Sequence, residues 1–418
     1  GVEKDVNFVS AYQVYPLTKF QVVYANDEKI KGALIGQIGE IKTGFTKVEL
    51  AKKAWEDYEK VGDFSHAQYG TVQKFIDAIW AQLKKQGAKD WTEKEYISNV
   101  YYKLRNVVVN SDTYLSDKVA AYIFGSLLFQ RNIKTELVIS VSNSLGKLSN
   151  VLFDQEIRYV CKLNNSYYFN YTDHSNPTDL VENLLGSEAY IIDQPTKQNT
   201  QNIKLVTLPD AGFQDNVTDY AINTSLEGDM NTLSVSRTST FIGISKTKNI
   251  VSALKYTPYM LDDYKYYGGN SPTEKMKEAQ EDEYNKSVRA MKDEYKDAKV
   301  EFVKQDLQRE FQQKVKYKNF AVSSDGRSLK ANKLVFVEDF ELPGMVRKAG
   351  KKYLINLSGL VGSQLQIKKE ERVRMYDINV GNARTLNWVI NFKVPAGYVV
   401  EGVKELNSTV DNEAGTYT

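Results

Sequence analysis

The spacing of hydrophobic residues changes near Thr46 and divides the first half of the chain into two parts. Residues 1–45 alternate apolar and polar positions in "KFQVVYA" and "GALIGQIGEI", which predicts an extended β segment. After Thr46 the apolar residues recur every three or four positions, as they do on one face of a helix. Three amphipathic helices are therefore predicted between residues 46 and 108.

Short polar signals mark where these helices begin and end. Thr46 with Glu49, and Thr92 with Glu95, have the spacing of a capping box at a helix N-terminus. Gly87 is expected to end the second helix. The apolar stripe of that helix consists of Val72, Phe75, Ile76, Ile79 and Leu83.

A fourth helix, residues 116–131, is predicted to be buried, because apolar side chains surround nearly its whole circumference. Three strand-like segments follow it, namely "TELVISV", "FDQEIRYVCKL" and "SYYFNYT". A group of helices followed by consecutive strands is typical of an α+β fold and not of a parallel α/β fold. We expect an α+β domain over residues 46–204.

From residue 205 onward the pattern is mainly that of strands, and Gly228 in "LEGDMN" indicates a hairpin turn. Strands at this spacing favour a β-sandwich-like domain over residues 205–418. A charged block at 273–318 interrupts them and predicts one or two long helices inserted into the β-domain. The narrow apolar seam of this insertion consists of Tyr284, Val288, Met291, Tyr295, Ala298, Phe302, Leu307, Phe311 and Val315.

Composition and charge exclude several classes of function. The 418 residues carry 55 basic and 53 acidic side chains that are well mixed, so the chain lacks the basic surface of a nucleic-acid-binding protein. No apolar run is long enough to span a membrane. A single cysteine, Cys161, and two histidines exclude a disulfide framework and a cysteine- or multi-histidine metal site. No metal and no cofactor is therefore expected.

Three segments carry a resemblance to a known family. "TYLSDKVA" precedes the buried helix, "FDQEIRYV" leads into one strand, and "YFNYTDHSNP" ends another. In this order and at this spacing they resemble the transglutaminase-like domain of the papain-type cysteine enzyme superfamily. That domain has Gly-Asp-Cys-x-Asp-Lys-Ala at the start of its buried helix, and later a strand led by Phe-Asn-His and one ending in Leu-Asp-Pro-Thr. The resemblance implies a buried central helix packed on an antiparallel sheet.

The flanking segments extend this resemblance to most of the chain, from about residue 60 onward. "RVRMYDINV" and "WVINFKVPAGYVVEGV" resemble the β-domain that follows the transglutaminase-like core in a family of Gram-negative envelope proteins. In that family the β-domain continues past the equivalent of Thr418, and a leading β-domain precedes the core. The resemblance thus implies that this chain stops short at its C-terminus and lacks most of the leading domain.

The three catalytic positions of the family are altered in this chain. By the resemblance, Leu115 stands in place of the nucleophilic cysteine, Gln155 in place of the histidine, and Asn170 in place of the aspartate. The family's chemistry needs a thiolate, a base that titrates near neutral pH, and an acid that orients the base. Leucine, glutamine and asparagine supply none of these groups. We therefore expect no catalytic residue at these positions.

Asp117 and Lys118 match the Asp-Lys pair that the family keeps after its nucleophile. Asp117 is expected to cap the first turn of the buried helix or to complement the helix dipole. The alternative interpretation is that the pair belongs to a residual polar binding site.

Cys161 and His174 are the alternative catalytic pair, as nucleophile and base. The alternation in "IRYVCKL" places Cys161 on the apolar face of a strand, where a free cysteine is usually an inert core residue. Asp173 and His174 form an adjacent acid–imidazole pair, but an exposed turn is the favoured interpretation, since neighbouring residues leaving a strand point apart. His66 is expected at a helix N-terminus, with no visible partner.

The aromatic run "YTPYMLDDYKYYGG" offers a second candidate binding surface, with Tyr264, Tyr266 and Tyr267. Tyrosine rings stack on sugars and peptides because they combine a flat apolar face with a polar tip. The favoured explanation is that the run packs the helical insertion onto the β-domain.

Two hypotheses follow for the function. The first is a catalytically inactive transglutaminase-like protein that binds or scaffolds an unknown peptide, glycan or envelope protein. The second is a cysteine-type hydrolase or acyl transferase with an unorthodox site built from Cys161 and His174. By the resemblance alone, the expected location is the periplasm, the outer membrane or the exterior of a Gram-negative bacterium.

Overall fold

All four helices expected between residues 46 and 131 are present in the computed structural model. It describes residues 44–111, 115–192, 203–254, 276–362, 381–403, 407–412 and 415–418, with isolated positions between 259 and 273 and between 367 and 373. Within these residues the chain has a mixed α+β fold, as expected. The helices are α1 (Lys47–Glu59), α2 (Val72–Lys85), α3 (Glu93–Ser111), α4 (Asp117–Phe129), α5 (Ile244–Ala253) and α6 (Glu278–Phe311).

The predicted helix ends are confirmed by their hydrogen bonds. The Thr46 amide donates to the Glu49 carboxylate (2.9 Å) and the Glu49 amide donates to Oγ1 of Thr46 (3.3 Å), which completes a capping box. Thr92 and Glu95 form the same reciprocal pair at 2.9 and 3.3 Å. Gly87 follows α2 with a φ of +87°, a conformation that glycine adopts without strain. The two capping boxes and Gly87 thus mark the helix ends that the sequence predicts.

The first sheet is antiparallel throughout and has the strand order β5-β4-β3-β6-β7. Leu137 and Cys161 lie on the face that shares a core with α4, while Val138 and Val160 lie in a second core on the other face. The central strands of the sheet, β3, β4 and β6, are therefore buried on both sides, with α4 as the predicted buried helix. Its strands are β3 (Glu136–Ser140), β4 (Arg158–Leu163), β5 (Ser166–Tyr168), β6 (Glu188–Ile192) and β7 (Ile203–Thr207), and β1 (Ser65–His66) and β2 (Gly70–Thr71) form a separate hairpin.

The second sheet has the strand order β10-β11-β9-β8-β14. All its pairs are antiparallel except β14 with β8, which is parallel. Gly228 lies in the turn between β8 and β9, as predicted. The sheet's strands are β8 (Val217–Leu226), β9 (Thr232–Phe241), β10 (Lys316–Asp325), β11 (Leu334–Pro343) and β14 (Thr385–Lys393), and the remaining strands pair as hairpins, β12 (Val346–Ala349) with β13 (Lys352–Ile355) and β15 (Val410–Asn412) with β16 (Gly415–Tyr417).

The charged insertion forms one helix, α6, of 34 residues. Its last turns bury Val303, Leu307 and Phe311 against Ile222 and Phe340 of the second sheet. The seam predicted further toward the N-terminus of α6 is less covered, and the Met291 side chain there is 39% exposed. The helix is therefore anchored to the sheet mainly through its C-terminal end.

Several expectations fall outside the described residues. The N-terminal β segment is one of them, since residues 1–43 are not described. Most of "RVRMYDINV" is another. A β-sandwich for residues 205–418 stays a prediction, because the described strands form one five-stranded sheet, with α5 and α6 packed against it, and separate hairpins.

Replacing Leu307 by alanine is expected to destabilise the protein by about 2–5 kcal/mol, because Leu307 is fully buried between α6 and the second sheet. The matched control is Met291→Ala, on the same seam at an exposed position, which should cost less than about 1 kcal/mol. Denaturant unfolding curves of the two variants provide the measurement. Equal losses of unfolding free energy would contradict anchoring through the C-terminal end of α6.

Candidate functional site

Leu115 and Asn170 meet at the start of the buried helix. Ser116 caps α4 by accepting a hydrogen bond from the Val119 amide (3.4 Å), and Leu115 directly precedes it. Asn170 follows β5, and its Nδ2 donates to the Leu115 carbonyl oxygen at 2.7 Å. Its Oδ1 accepts from the Tyr171 amide at 2.8 Å, which fixes the orientation of the side chain. Two of the three positions that the family resemblance assigns to catalysis thus lie in direct contact.

Gln155 does not share a described hydrogen bond with this pair. It lies exposed in a short 3₁₀ turn, Asp154–Glu156, ahead of β4. The side chain that reaches the start of α4 from this strand is Arg158, whose Nη1 lies 3.3 Å from the Asp117 carboxylate. That Gln155 lies close to Leu115 and Asn170 therefore stays a prediction.

Asp117 and Lys118 lie at the first two positions of α4. The helix cap comes from Ser116, and Asp117 instead places a negative charge at the N-terminus, where the helix dipole favours it. The ammonium group of Lys118 lies 5.5 Å from the Phe64 ring centroid and 5.8 Å from that of Tyr159. This end of α4 therefore carries one ion pair and one cation near two aromatic rings.

Neither Leu115 nor Asn170 carries a nucleophilic or acidic group at this end of α4. Leu115 offers only a hydrocarbon side chain, 6% exposed, and the Asn170 amide is held by two backbone groups. A carboxylate at position 170 would meet the Leu115 carbonyl oxygen without a proton to share. The local geometry is thus matched to an amide at position 170 and unfavourable to a carboxylate.

Cys161 lies on the buried face of β4, as the alternation of the sequence predicts. Its side chain is 3% exposed, and burial raises the pKa of the thiol to about 12, although a hydrogen bond with Thr135 opposes the shift. The thiolate form that a nucleophile needs is therefore scarce at neutral pH.

His174 was expected in an exposed turn, and this expectation is wrong. The side chain is 5% exposed, its Nε2 lies 3.3 Å from the Asp173 carboxylate, and its ring packs edge-on against Tyr259 at 5.0 Å. Burial lowers the pKa of His174 to about 4; the nearby Asp173 opposes this shift, and the guanidinium groups of Arg327 and Arg105 add to it. His174 is therefore a neutral, buried residue at physiological pH.

His66 also differs from its expected position. It belongs to the short strand β1, and its ring stacks on Phe75 with 4.5 Å between the ring centroids. Its Nδ1 accepts a hydrogen bond from the Gln68 amide. The short hairpin, which the sequence pattern did not indicate, explains the difference.

Asp263 lies between two buried arginines that come from distant parts of the sequence. Arg327 donates to both of its carboxylate oxygens, at 3.1 and 2.6 Å, and Arg105 donates to one of them at 3.2 Å. All three side chains are at most 4% exposed. Arg327 also donates to the Asp173 carbonyl oxygen at 3.0 and 2.6 Å, which connects the cluster to the loop of His174.

A second buried ion pair lies beside this cluster and joins the same two regions. The ammonium group of Lys246, on α5, lies 2.8 Å from the Asp179 carboxylate and 2.6 Å from Oδ1 of Asn332. Asn176 donates to the Gly326 carbonyl oxygen (2.7 Å) and to Oδ1 of Asn332 (2.8 Å). We name the residues Arg105, Asp263, Arg327, Asn176, Lys246, Asp179 and Asn332 the interdomain polar cluster, because they come from the two regions that the sequence predicts as separate domains.

Two tyrosines of the aromatic run, Tyr259 and Tyr267, pack against this cluster rather than between the insertion and the β-domain. The Tyr267 ring stacks on Tyr102 of α3 at 4.5 Å, and Tyr259 lies 3.8 Å beneath the guanidinium of Arg327. Tyr266 is 68% exposed. Tyr264 lies outside the described residues. Of the two described candidate binding residues in this run, Tyr266 is exposed and Tyr267 is partly buried.

Sequence reasoning missed the interdomain polar cluster. Its members are separated by up to 227 positions, from Arg105 to Asn332, and each occurs in an ordinary setting, such as Arg105 inside the amphipathic pattern of α3. The one available signal was the density of tyrosines around residue 263, which marks a place where aromatic rings and cations meet.

The chain matches no protein-family model, no curated protein and no solved structure. Among the described residues, no helix has the length and apolar character needed to cross a membrane. The same part of the chain contains no group of three or more histidine, cysteine or acidic side chains placed to hold a metal ion.

Asn170→Asp is expected to destabilise the protein by about 1–3 kcal/mol at pH 7, because it keeps the acceptor for Tyr171 and removes the donor to Leu115. The new carboxylate should have a raised pKa, so the loss should shrink as pH falls and the acid regains a proton to donate. Asn143→Asp is the matched control, since Asn143 donates to the Glu182 carbonyl at an exposed site. Chemical denaturation at pH 7 and pH 4 would test this, and equal costs for both variants would contradict it.

Protonation of His174 is expected to destabilise the folded chain at acidic pH. Because its pKa is about 4 when folded and about 6.5 when unfolded, its contribution to stability is complete above pH 6.5 and is lost as pH falls toward 4. This loss is on the order of 3 kcal/mol. His174→Gln should flatten the pH dependence of unfolding free energy in this window, while His66→Gln should leave it in place. An unchanged slope in His174→Gln would show that other groups cause it.

Proposed function

We propose that the chain is a catalytically inactive transglutaminase-like protein that acts as a binding or scaffolding module in a bacterial cell envelope. The observation that carries this proposal is the 2.7 Å hydrogen bond from Asn170 to the Leu115 carbonyl. By the family resemblance, these residues occupy the positions of the acid and the nucleophile. Their contact supports the alignment of the two motifs.

The arrangement around α4 and the first sheet supports the same assignment. A buried central helix lies against an antiparallel sheet, with Leu115 just ahead of its N-cap. In an enzyme of the proposed fold this position would place a thiol near the helix dipole, which lowers the pKa of a thiol. Leucine keeps the packing of this position and removes the reacting atom. Loss of all three family groups removes the route to an acyl-enzyme, since such residues act as a unit.

The hydrolase alternative needs a reactive thiolate at Cys161 and a base at His174. The Cys161 side chain is 3% exposed, and the pKa of its thiol is about 12. The His174 side chain contacts Asp173 and Tyr259, and the guanidinium groups of Arg327 and Arg105 lie nearby. These features favour a core residue and a structural histidine over a catalytic pair.

A scaffolding role is supported by the way the two regions are joined. The interdomain polar cluster places paired charges in a buried setting, where breaking one pair costs about 3–5 kcal/mol. We therefore propose that the transglutaminase-like region and the β-domain, proposed to be sandwich-like, form one unit that presents its surfaces in a fixed arrangement. Tyr266 and Lys118 are the proposed contacts for a peptide, glycan or envelope protein.

The absence of cysteine chemistry can be tested with the intact protein and a Cys161→Ala variant. Both should fail to incorporate a fluorescent amine into a glutamine-rich protein or to hydrolyse peptide substrates, while an active transglutaminase and papain serve as positive controls. Iodoacetamide should label Cys161 only after unfolding, because the thiol is buried and protonated. Turnover that is lost in Cys161→Ala, or fast labelling of the folded protein, would overturn the proposal.

Binding to the envelope is tested separately by sedimentation with washed envelope fragments of a Gram-negative bacterium. We expect saturable retention that is reduced at least several-fold in Tyr266→Ala, whose ring is exposed. Tyr167→Ala, a change to a partly buried tyrosine in the first region, is the control. Retention no greater than that of serum albumin would contradict the scaffolding role without affecting the conclusion on catalysis.

A further inference from the structure

The second sheet has one polar face turned away from α6. One residue from each of its five strands lies in register across this face, in the order Asn319, Asp339, Ser236, Asn223 and Asn391. We name these five residues the polar row. Neighbouring strands lie about 4.8 Å apart, so the row presents a hydrogen-bonding side chain at each of these intervals.

The polar row forms the floor of a shallow groove of about 720 Å³. Ser225 and Ser234 lie opposite each other in a second row of the groove, and Lys393 continues this row on β14. Lys318, on β10 at the opposite edge of the sheet, also lines it. The groove thus runs across the strands, and amide and hydroxyl groups line it together with apolar atoms, including those of Val235 and Phe392.

Hydrogen bonds within the polar row hold its amides in place and leave part of their capacity for a ligand. Asn391 donates to Oδ1 of Asn223 at 3.1 Å, and Asn319 donates to the Asp339 carboxylate at 3.3 Å. Asn223 keeps two N–H donors, and Ser236 keeps a hydroxyl; neither group has a hydrogen bond within the described part of the chain. The row therefore offers both donors and acceptors in fixed positions.

The charges of the groove are nearly balanced. Lys318 lies 2.8 Å from Glu341 and 3.3 Å from Glu227, so its charge is largely neutralised. The remaining cation, Lys393, faces the same groove as the Asp339 carboxylate. A polyanion such as nucleic acid needs unpaired cations along its path, and this groove does not provide a row of them.

The sheet beneath the groove is a rigid support. Ile222, Leu233 and Phe340 on its opposite face are at most 1% exposed and are packed under the end of α6. The Arg237 guanidinium on that face pairs with Glu338 at 2.8 Å and with Glu310 of α6 at 2.6 Å. A rigid floor keeps the entropic cost of ligand binding low, because the binding groups are already ordered.

We propose that this groove binds a neutral polysaccharide chain lying across the strands. Such a ligand presents hydroxyl groups along its length, which can both accept from amide N–H groups and donate to amide and serine oxygens. The balanced charge of the groove favours a neutral ligand over an anionic one. The proposal goes beyond the proposed function and uses other residues, so each can fail independently.

Affinity gel electrophoresis with soluble neutral polysaccharides (a glucan, a mannan, a xylan and a galactan) tests this proposal on the intact protein. At least one of them should retard the wild type, and the double variant Asn223→Ala/Asn391→Ala should bind it at least tenfold more weakly. The matched control is Asn285→Ala, an exposed asparagine on α6, which should bind as the wild type does. Circular dichroism spectra would verify that each variant is folded.

A second variant, Ser236→Lys, places a long cation in the centre of the polar row and should also abolish retardation. Retention of binding in both groove variants would overturn the proposal. Lack of retardation of the wild type by all four polysaccharides would overturn it as well. The proposal would also be overturned if no polysaccharide bound and an extended peptide bound to the wild type but not to the groove variants.

Discussion

The buried carboxylate of Asp263 holds the helical region and the β-rich region together. It lies between Arg105 from the helical region and Arg327 from the β-rich region, and neither guanidinium is exposed to water. Without this carboxylate two like charges would be buried together at a cost of several kcal/mol. Arg327 also donates to the Asp173 carbonyl oxygen, which ties the loop that carries the buried His174 to the same ion pair.

Burial is the main cause of the lowered pKa of His174, and the same two arginines add to it. Two guanidinium groups already lie nearby, and a third positive charge in a buried setting would be unfavourable. The Asp173 carboxylate partly balances them, and Tyr259 donates to it at 2.8 Å. His174 is thus held as part of the structural support between Asp173, Tyr259 and the two arginines.

The residues at the start of α4 fit their positions through packing and hydrogen bonding. The amide of Asn170 makes two backbone hydrogen bonds there, which a carboxylate could not both make, and Leu115 fills a buried position that a thiol would fill less completely. On the proposed assignment, the altered residues stabilise a site where the family's enzymes need reactive groups. The polar row on the second sheet shows the contrasting case of ordered polar groups that are open to solvent.

Features that depend on neighbours along the chain can be predicted from residue spacing. The capping boxes at Thr46 and Thr92, the buried α4 and the inward side of Cys161 are of this kind, because helix and strand periods act over a few residues. The burial of His174 and the pairing of Arg105 with Asp263 became visible with the folded chain. Those depend on contacts between residues far apart in sequence, and an isolated charge carries no local sign of the partner that makes its burial favourable.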